Sequence, residues 1–216
     1  MNPRTRLSLA LLLILVGAAA CSTMGAKHPM SFFVTSTGNG QGANFGGLAG
    51  ADKHCQSLAE AVGAGKRSWR AYLSTSATPT APAVNARDRI GYGPWENSRG
   101  VIIALSVADL HSANNRLDKQ TALTEKGTVV NGRGDTPNQH DVLTGSTAEG
   151  TAAPQTCDNW TTSGEGGAIV GHHDRTGLDE SAPAKSWNAS HATRGCGQAA
   201  LATTGGAGLL YCFAVN

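Results

Sequence analysis

The heptapeptide GHHDRTG, residues 171–177, holds the most suggestive group of polar side chains in the sequence. Imidazole and carboxylate groups are common zinc ligands, and they also serve as general bases and as the groups that orient them. His172, His173 and Asp174 could therefore bind a metal ion or supply an acid–base pair. A third interpretation is that they are loop and strand-end residues that hydrogen-bond the neighbouring loops.

A hydrolase would need further groups from other parts of the chain. His191 is a candidate partner, and Ser186 or Ser190 is a candidate nucleophile. The chain has neither a nucleophile-elbow motif nor the H-E-x-x-H motif. Because adjacent residues of a strand point to opposite faces, His172 and His173 are also poor joint ligands. We therefore expect no enzyme and no catalytic residue, and a hydrolase centred on His172, His173 and His191 is the less favoured alternative.

A second candidate is the tripeptide Arg133-Gly134-Asp135 within VNGRGDTPNQ, residues 130–139, because integrins recognise this tripeptide. The surrounding residues also explain it without any ligand. Asn-Gly and Gly-Asp pairs form turns, and the following proline stops regular structure. We predict a tight exposed turn, with Arg133 and Asp135 as candidate ligand contacts.

Trp95 is the third candidate, since it lies among the turn-forming residues of IGYGPWENSRG. An exposed aromatic side chain in a rigid loop would be a natural ligand contact. A tryptophan that covers the core from a loop would have the same sequence context, so both interpretations stay open.

The elements that position these residues follow from hydrophobic periodicity. Apolar residues at spacings of three and four predict a helix over residues 50–62, with Cys55 on its buried face and Gly63 as its stop. Strands are predicted over residues 31–36, 67–76 and 101–106 and at GLLYCFAVN, and a short helix over residues 108–117. Between residues 127 and 150 almost nothing is periodic except VLTGS. The order of these elements predicts an α+β fold with one long loop region.

The first twenty residues form a signal peptide by pattern, with a basic start, an apolar run and small residues before the cleavage site. Cleavage would leave Cys21 first, as in bacterial lipoproteins, where that cysteine is lipidated. Ordinary cleavage that leaves an unmodified Cys21 is the alternative. We therefore divide the chain into a signal peptide (1–20), a lipid-anchored tether (21–30) and one domain (31–216). Lipidation predicts an exported protein that is anchored to the cell envelope. Ser22 after the cysteine indicates the outer membrane, with the periplasmic or surface face left open.

Composition excludes a nucleic-acid surface, because the net charge is only +2 and the lysines and arginines are scattered. The chain is rich in glycine and has five cysteines. A loop-rich domain with a modest core benefits from disulfides in an oxidising compartment. The four cysteines after Cys21 allow three pairings.

Five segments occur in the same order as counterparts in endostatin, the C-terminal domain of certain collagens. They are GLAGADKHCQSLAEAVGAGKRSWRAYLSTS, VNARDRIGYGPWEN, VLTGSTAEG, TCDNW and GLLYCFAVN. The chain thus resembles bacterial lipoproteins that carry an endostatin-like domain, from about Phe32 to Val215. The resemblance implies a C-type-lectin-like fold with two nested disulfides, Cys55–Cys212 and Cys157–Cys196.

The resemblance also implies a binding domain rather than an enzyme, with a protein or glycan ligand that could be a matrix or host component. Endostatin binds zinc through an N-terminal histidine-rich segment, of which only His28 has a counterpart here. Calcium-dependent lectins use a Trp-Asn-Asp triplet, whereas Ala189 follows Trp187 and Asn188 in this chain. We therefore expect no metal, no cofactor and no calcium-dependent sugar site, with Asn188 kept as a candidate ligand contact. An envelope structural protein is the other alternative.

Overall fold

The computed structural model of the protein describes residues 30–215. The predicted signal peptide, Cys21 and all but the last residue of the predicted tether lie outside these residues. Met30, the last tether residue, is buried against the core, so the fold extends at least that far toward the N-terminus.

The domain is α+β, with short strands that outnumber its helices. The strands are β1 (Phe32–Val34), β2 (Trp69–Ala71), β3 (Trp95–Glu96), β4 (Ile102–Ala104), β5 (Asp141–Leu143), β6 (Ile169–His172), β7 (His191–Ala192) and β8 (Gly206–Ala214). The helices are α1 (Gly47–Ala61), α2 (Val107–Leu110) and α3 (Gln198–Ala202), with a 3₁₀ turn at Ala86–Asp88 and a single left-handed turn at Cys157–Trp160. Among the described residues no helix is long and apolar enough to cross a membrane.

The predicted elements are found with altered bounds. Helix α1 starts three residues before the predicted helix and ends one residue before the prediction. Gly63 adopts a φ of +79°, the left-handed conformation in which helices commonly end. The predicted helix over 108–117 is only the single turn of α2, because Asn115 folds back and donates hydrogen bonds to the carbonyls of Leu110 and Ser112.

Strand β8 is the centre of a six-stranded sheet. β1 pairs with it antiparallel along one edge. Along the other edge β2 pairs antiparallel with its second half and β5 pairs parallel with its first half. β6 then adds to β5 and β7 to β6, both antiparallel, so β5, β6 and β7 are consecutive neighbours at one side of the sheet. β3 and β4 form a separate hairpin.

The alternation of β8 divides the core between the two faces of the sheet, as its sequence predicts. Leu209, Tyr211 and Phe213 belong to one apolar cluster together with Trp95. Cys212 faces the opposite cluster, which is covered by α1. Because side chains of a strand alternate between faces, one strand contributes to both clusters.

Two disulfides tie this scaffold together. Cys55 of α1 bonds to Cys212 of β8, which fastens the helix to the central strand, and Cys157 bonds to Cys196 before α3. This is the nested pairing that the resemblance implies.

Candidate functional site

The side chains that could do chemistry converge on the carboxylate of Asp141. Its Oδ1 atom lies 3.2 Å from Nε2 of His140, 3.3 Å from Nε2 of His172 and 3.4 Å from Nε2 of His191. Asp141, His140 and His172 are buried, whereas the His191 side chain is 37% exposed. One buried carboxylate thus has three imidazole nitrogens around a single oxygen.

Strand register explains this convergence. Asp141 of β5 is the direct partner of His172 of β6, and directly paired residues of neighbouring strands point to the same face. His191 of β7 pairs with Val170, two residues before His172, and so lies on that same face. The His140 ring stacks on the His172 ring with centroids 4.1 Å apart. Three adjacent strands therefore deliver one group each to the end of the sheet, and His140 is added from the residue just before β5.

The Nδ1 atoms of these histidines face away from Asp141, toward hydrogen-bond acceptors. Nδ1 of His172 donates to the carbonyl of Ala184 at 2.7 Å, and Nδ1 of His191 donates to its neighbour's carbonyl, that of Ala192, at 3.1 Å. Nδ1 of His140 faces Oδ1 of Asp174 at 3.4 Å. Since carbonyls only accept, Nδ1 of His172 and Nδ1 of His191 carry the proton.

Electrostatics favour a positive charge beside this carboxylate. Burial alone would raise the pKa of Asp141, but its interactions with the imidazoles of His172 and His191 lower that pKa to about 2. The same contact with Asp141 raises the pKa of His191. Asp141 is therefore an ionised carboxylate near neutral pH.

The cluster forms the floor of a cleft of about 560 Å³. His140 and His172 lie at its buried end, and His191 lies closer to solvent. The exposed side chains of Arg133, Leu178 and Arg194 line its outer part. The cleft thus combines an imidazole floor with two guanidinium groups, one apolar side chain and the carboxylate of Asp179 near the solvent.

The two histidines of the heptapeptide 171–177 point in different directions, as the strand pattern predicts. His172 points into the cluster, whereas Nε2 of His173 contacts the carbonyl of Asn131 at 3.1 Å, and the His173 side chain is fully buried. His173 is therefore not a ligand contact, which corrects its place among the candidates. Its burial lowers its pKa.

Asp174 lies behind the cluster with a buried carboxylate and contacts the Arg133 loop. Although burial raises its pKa, the His140 imidazole and the backbone N–H groups of Arg133 and Thr176 hold that pKa well below its usual range. The backbone N–H of Arg133 donates to Oδ2 of Asp174 at 2.6 Å. Asp174 therefore orients its neighbours rather than facing the cleft.

Two other candidates are core residues. Trp95 is 1% exposed and packs edge-to-face on Phe213, so it covers the core rather than standing exposed in its loop. Asn188 is equally buried, and its amide donates to the Tyr72 hydroxyl at 3.0 Å and to the carbonyls of Thr147 and Ala148. Both side chains are almost fully buried, which corrects the expectation that they are exposed ligand contacts.

The Arg133-Gly134-Asp135 tripeptide is a turn. The Asp135 N–H donates to the carbonyl of Gly132, and Gly134 adopts a φ of +89°. The Asp135 carboxylate accepts from the Gly132 N–H at 2.7 Å and forms an ion pair with Lys119. Asp135 is thus engaged within the turn, whereas the Arg133 side chain is exposed and lines the cleft.

Sequence patterns alone did not lead to His140 and Asp141, the centre of the cluster. The available signal was a His-Asp pair directly before VLTGS, the periodic segment of an otherwise irregular region. Of the two candidate nucleophiles, Ser190 lies beside the cluster, with Oγ 3.2 Å from Nδ1 of His172. The Ser186 hydroxyl instead donates to Oδ1 of Asn188 at 3.1 Å.

Comparisons with known proteins identify no family, so any assignment of function rests on the residues described above. The chain matches no protein-family model, and no curated protein matches its sequence at a significant level.

Proposed function

We propose that the protein is an exported, non-enzymatic binding lipoprotein whose domain holds a protein or glycan ligand in the cleft above Asp141. The single observation that carries this proposal is the cleft, which is about 560 Å³ and is bordered by Arg133 and Arg194. Clefts of this size with a few convergent polar groups are typical of ligand sites. Guanidinium groups bind carboxylates and sulfates in a bidentate manner, so the expected ligand carries acidic groups.

Export and anchoring rest on the N-terminal pattern and on the disulfides. A signal peptide followed by Cys21 is the arrangement of a bacterial lipoprotein, and several acyl chains anchor a protein to a membrane durably. Two disulfides in a glycine-rich domain are typical of proteins from oxidising compartments. The proposed location is the outer membrane, on its periplasmic or its outer surface.

An endostatin-like, C-type-lectin-like fold is part of the proposal. Its support is the order of strand, helix and strand, followed by a long loop-rich region and short strands. The nested disulfides agree with it. In a scaffold tied in this way, loops are the usual place for ligand contacts, and Arg133 lies on such a loop.

The proposed binding does not use calcium. A calcium ion takes six to eight oxygen ligands, whereas the floor of this cleft offers mainly imidazole nitrogens. Asn188, the residue that aligns with the sugar-binding triplet of calcium-dependent lectins, is sealed in the core.

The hydrolase alternative has one feature in its favour, the series Ser190–His172–Asp141. The geometry argues against it, because Nδ1 of His172 donates its proton to the carbonyl of Ala184 and cannot also accept one from Ser190. His173 is turned away from the other histidines. An envelope structural protein is the remaining alternative. The cleft of about 560 Å³ favours the binding protein over it.

The test is an array of glycans and matrix proteins probed with the purified full chain, with and without added calcium. We expect binding to acidic ligands that calcium does not change. The double variant Arg133→Ala/Arg194→Ala should lose at least about tenfold in affinity, since hydrogen bonds to charged groups contribute about 1.5–3 kcal/mol each.

The matched control is Lys53→Ala/Lys66→Ala, which removes the same charge from exposed positions that do not line the cleft. Equal losses in both double variants would indicate nonspecific attraction and contradict a site in the cleft. Absence of binding to every acidic ligand would favour the structural alternative. Protease treatment of intact cells then decides which side of the outer membrane the domain faces.

A further inference from the structure

The cluster around Asp141 has the composition and spacing of a metal site. We propose that His140, Asp141 and His172 bind one divalent transition-metal ion of the zinc type, with His191 as the fourth ligand. Ligand atoms of the first three lie within 4.8 Å of one another. This inference goes beyond the proposed function and holds whether or not the cleft binds a larger ligand.

The separations fit tetrahedral coordination. Zinc bonds to nitrogen and oxygen are about 2.0–2.2 Å long, so two ligands of a tetrahedral ion are about 3.3 Å apart. The three nitrogen-to-Oδ1 distances at Asp141 are 3.2, 3.3 and 3.4 Å. Hydrogen bonds from imidazole to carboxylate are shorter, at about 2.7–2.9 Å. Each imidazole nitrogen therefore lies as far from Oδ1 of Asp141 as two ligands of one tetrahedral ion would lie from each other.

The buried polar atoms at this point make no side-chain hydrogen bonds of good geometry. Neither oxygen of Asp141 has a hydrogen bond of good geometry, and the same is true of Nε2 of His172. In a neutral ring whose Nδ1 donates to a carbonyl, the tautomer that the contacts of His172 and His191 favour, the Nε2 lone pair points at the carboxylate. Lone pairs and a buried negative charge repel one another, and a cation between them removes this cost.

The contacts of the Nδ1 atoms in this cluster are those that metal-binding histidines usually make. Ligating imidazoles donate their second N–H to a carbonyl or a carboxylate, which fixes the tautomer and the ring orientation. His172 and His191 contact carbonyls in this way, and His140 faces the carboxylate of Asp174. The cluster therefore includes the groups that orient the ligands as well as the ligands themselves.

The donor set selects the kind of metal. Three imidazoles and one carboxylate suit zinc and its neighbours among the first-row transition metals. Magnesium and calcium prefer sites made of oxygen atoms, which this cluster does not provide. We therefore expect zinc to bind and calcium or magnesium not to compete.

Binding requires small side-chain adjustments at two residues. The rings of His140 and His172 are stacked with an interplanar angle of 13°, so one ring must tilt for both lone pairs to meet at one ion. His140 can tilt because its Nδ1 makes no hydrogen bond of good geometry. His191 is partly exposed and can move inward from the cleft.

The experiment uses the full chain, purified without a histidine tag and stripped of metal with a chelator. Zinc is titrated by calorimetry, and cobalt(II) is added separately as a spectroscopic probe. We expect one zinc per chain and the strong visible absorption of tetrahedral cobalt. Asp141→Asn and His172→Gln should each weaken zinc binding at least about 100-fold, and His54→Gln, outside the cluster, should bind like the unmodified protein.

Near-ultraviolet circular dichroism and the Tm establish that each variant is folded. If the two buried variants do not fold, His191→Gln at the partly exposed position replaces them, with an expected loss of about tenfold. The proposal is overturned if the unmodified protein binds neither zinc nor cobalt. It is equally overturned if a folded Asp141→Asn or His191→Gln protein binds zinc as tightly as the unmodified one, or if His54→Gln loses as much affinity.

Discussion

Gly171 is a position at which even one added carbon atom should damage the fold severely. A β-carbon built on Gly171 would lie 1.8 Å from the carbonyl oxygen of Trp187 and 2.4 Å from the backbone nitrogen of Asn188. β-Carbons do not approach other heavy atoms closer than 3.0 Å, so β6 or the segment opposite must move by at least 1.2 Å. The obstacle is backbone, which no side-chain rotation can relieve.

The contacts that would be lost set the magnitude. The backbone N–H of His172 donates to the carbonyl of Ser186 at 2.9 Å, and Asn188 makes buried hydrogen bonds. Overpacking costs about 1–3 kcal/mol, and each hydrogen bond lost adds about 1 kcal/mol. We therefore expect Gly171→Ala to lower the free energy of unfolding by about 3–5 kcal/mol and the Tm by about 10 °C.

Urea denaturation followed by circular dichroism measures this loss, and Gly164→Ala is the matched control. The nearest atom to a β-carbon on Gly164 is Oγ1 of Thr162 at 3.5 Å, an ordinary contact at an exposed position. That substitution should be neutral or stabilising by up to about 1 kcal/mol. A Gly171→Ala protein within about 1 kcal/mol of the unmodified one would refute the close approach of β6 to residues 187–188.

Two further predictions concern stability. Replacing Cys55 and Cys212 together by serine should lower the free energy of unfolding, measured by urea denaturation, by about 5 kcal/mol. The bridge spans 157 residues and so removes much chain entropy from the unfolded state. A loss below about 1 kcal/mol would contradict this. His111 donates to the carbonyl of Val107 and contacts the Tyr72 hydroxyl, and its burial lowers its pKa. Because of this lowered pKa, the unfolded chain binds a proton at this residue at a pH where the folded chain does not. Stability should therefore fall as pH drops below about 6.5, and His111→Gln should flatten that slope; an unchanged slope would contradict the assignment.

Local periodicity explains why parts of the fold could be predicted. Helix α1 has its apolar residues at helical spacing, and Cys55 lies on the buried face as expected. The alternation in β8 correctly places Tyr211 and Phe213 in one cluster and Cys212 in the other. These features depend on neighbours within one element, which a single sequence contains.

The turn at Cys157–Trp160 has no such local signal. All four residues have positive φ, between 48° and 69°, although none is glycine. A left-handed conformation costs about 1–2 kcal/mol per residue, so local preference opposes this turn. Long-range contacts hold it: the bond of Cys157 to Cys196, and the donation from the Trp160 indole to the carbonyl of Ser74 at 2.7 Å. Its conformation is therefore set by tertiary structure.

The candidate site depends both on patterns within single elements and on contacts between elements that are distant in the sequence. Strand alternation correctly separates His172 from His173, because that rule needs only two neighbouring residues. The same rule places Asp141 on the face of His172 only once the register of β5 against β6 is known. β5 pairs on its other edge with β8, the last of the described strands, so the sheet joins segments that are far apart in the sequence. A cluster assembled from three strands thus becomes visible only when the sheet is complete, even though its residue types are ordinary metal ligands in the sequence.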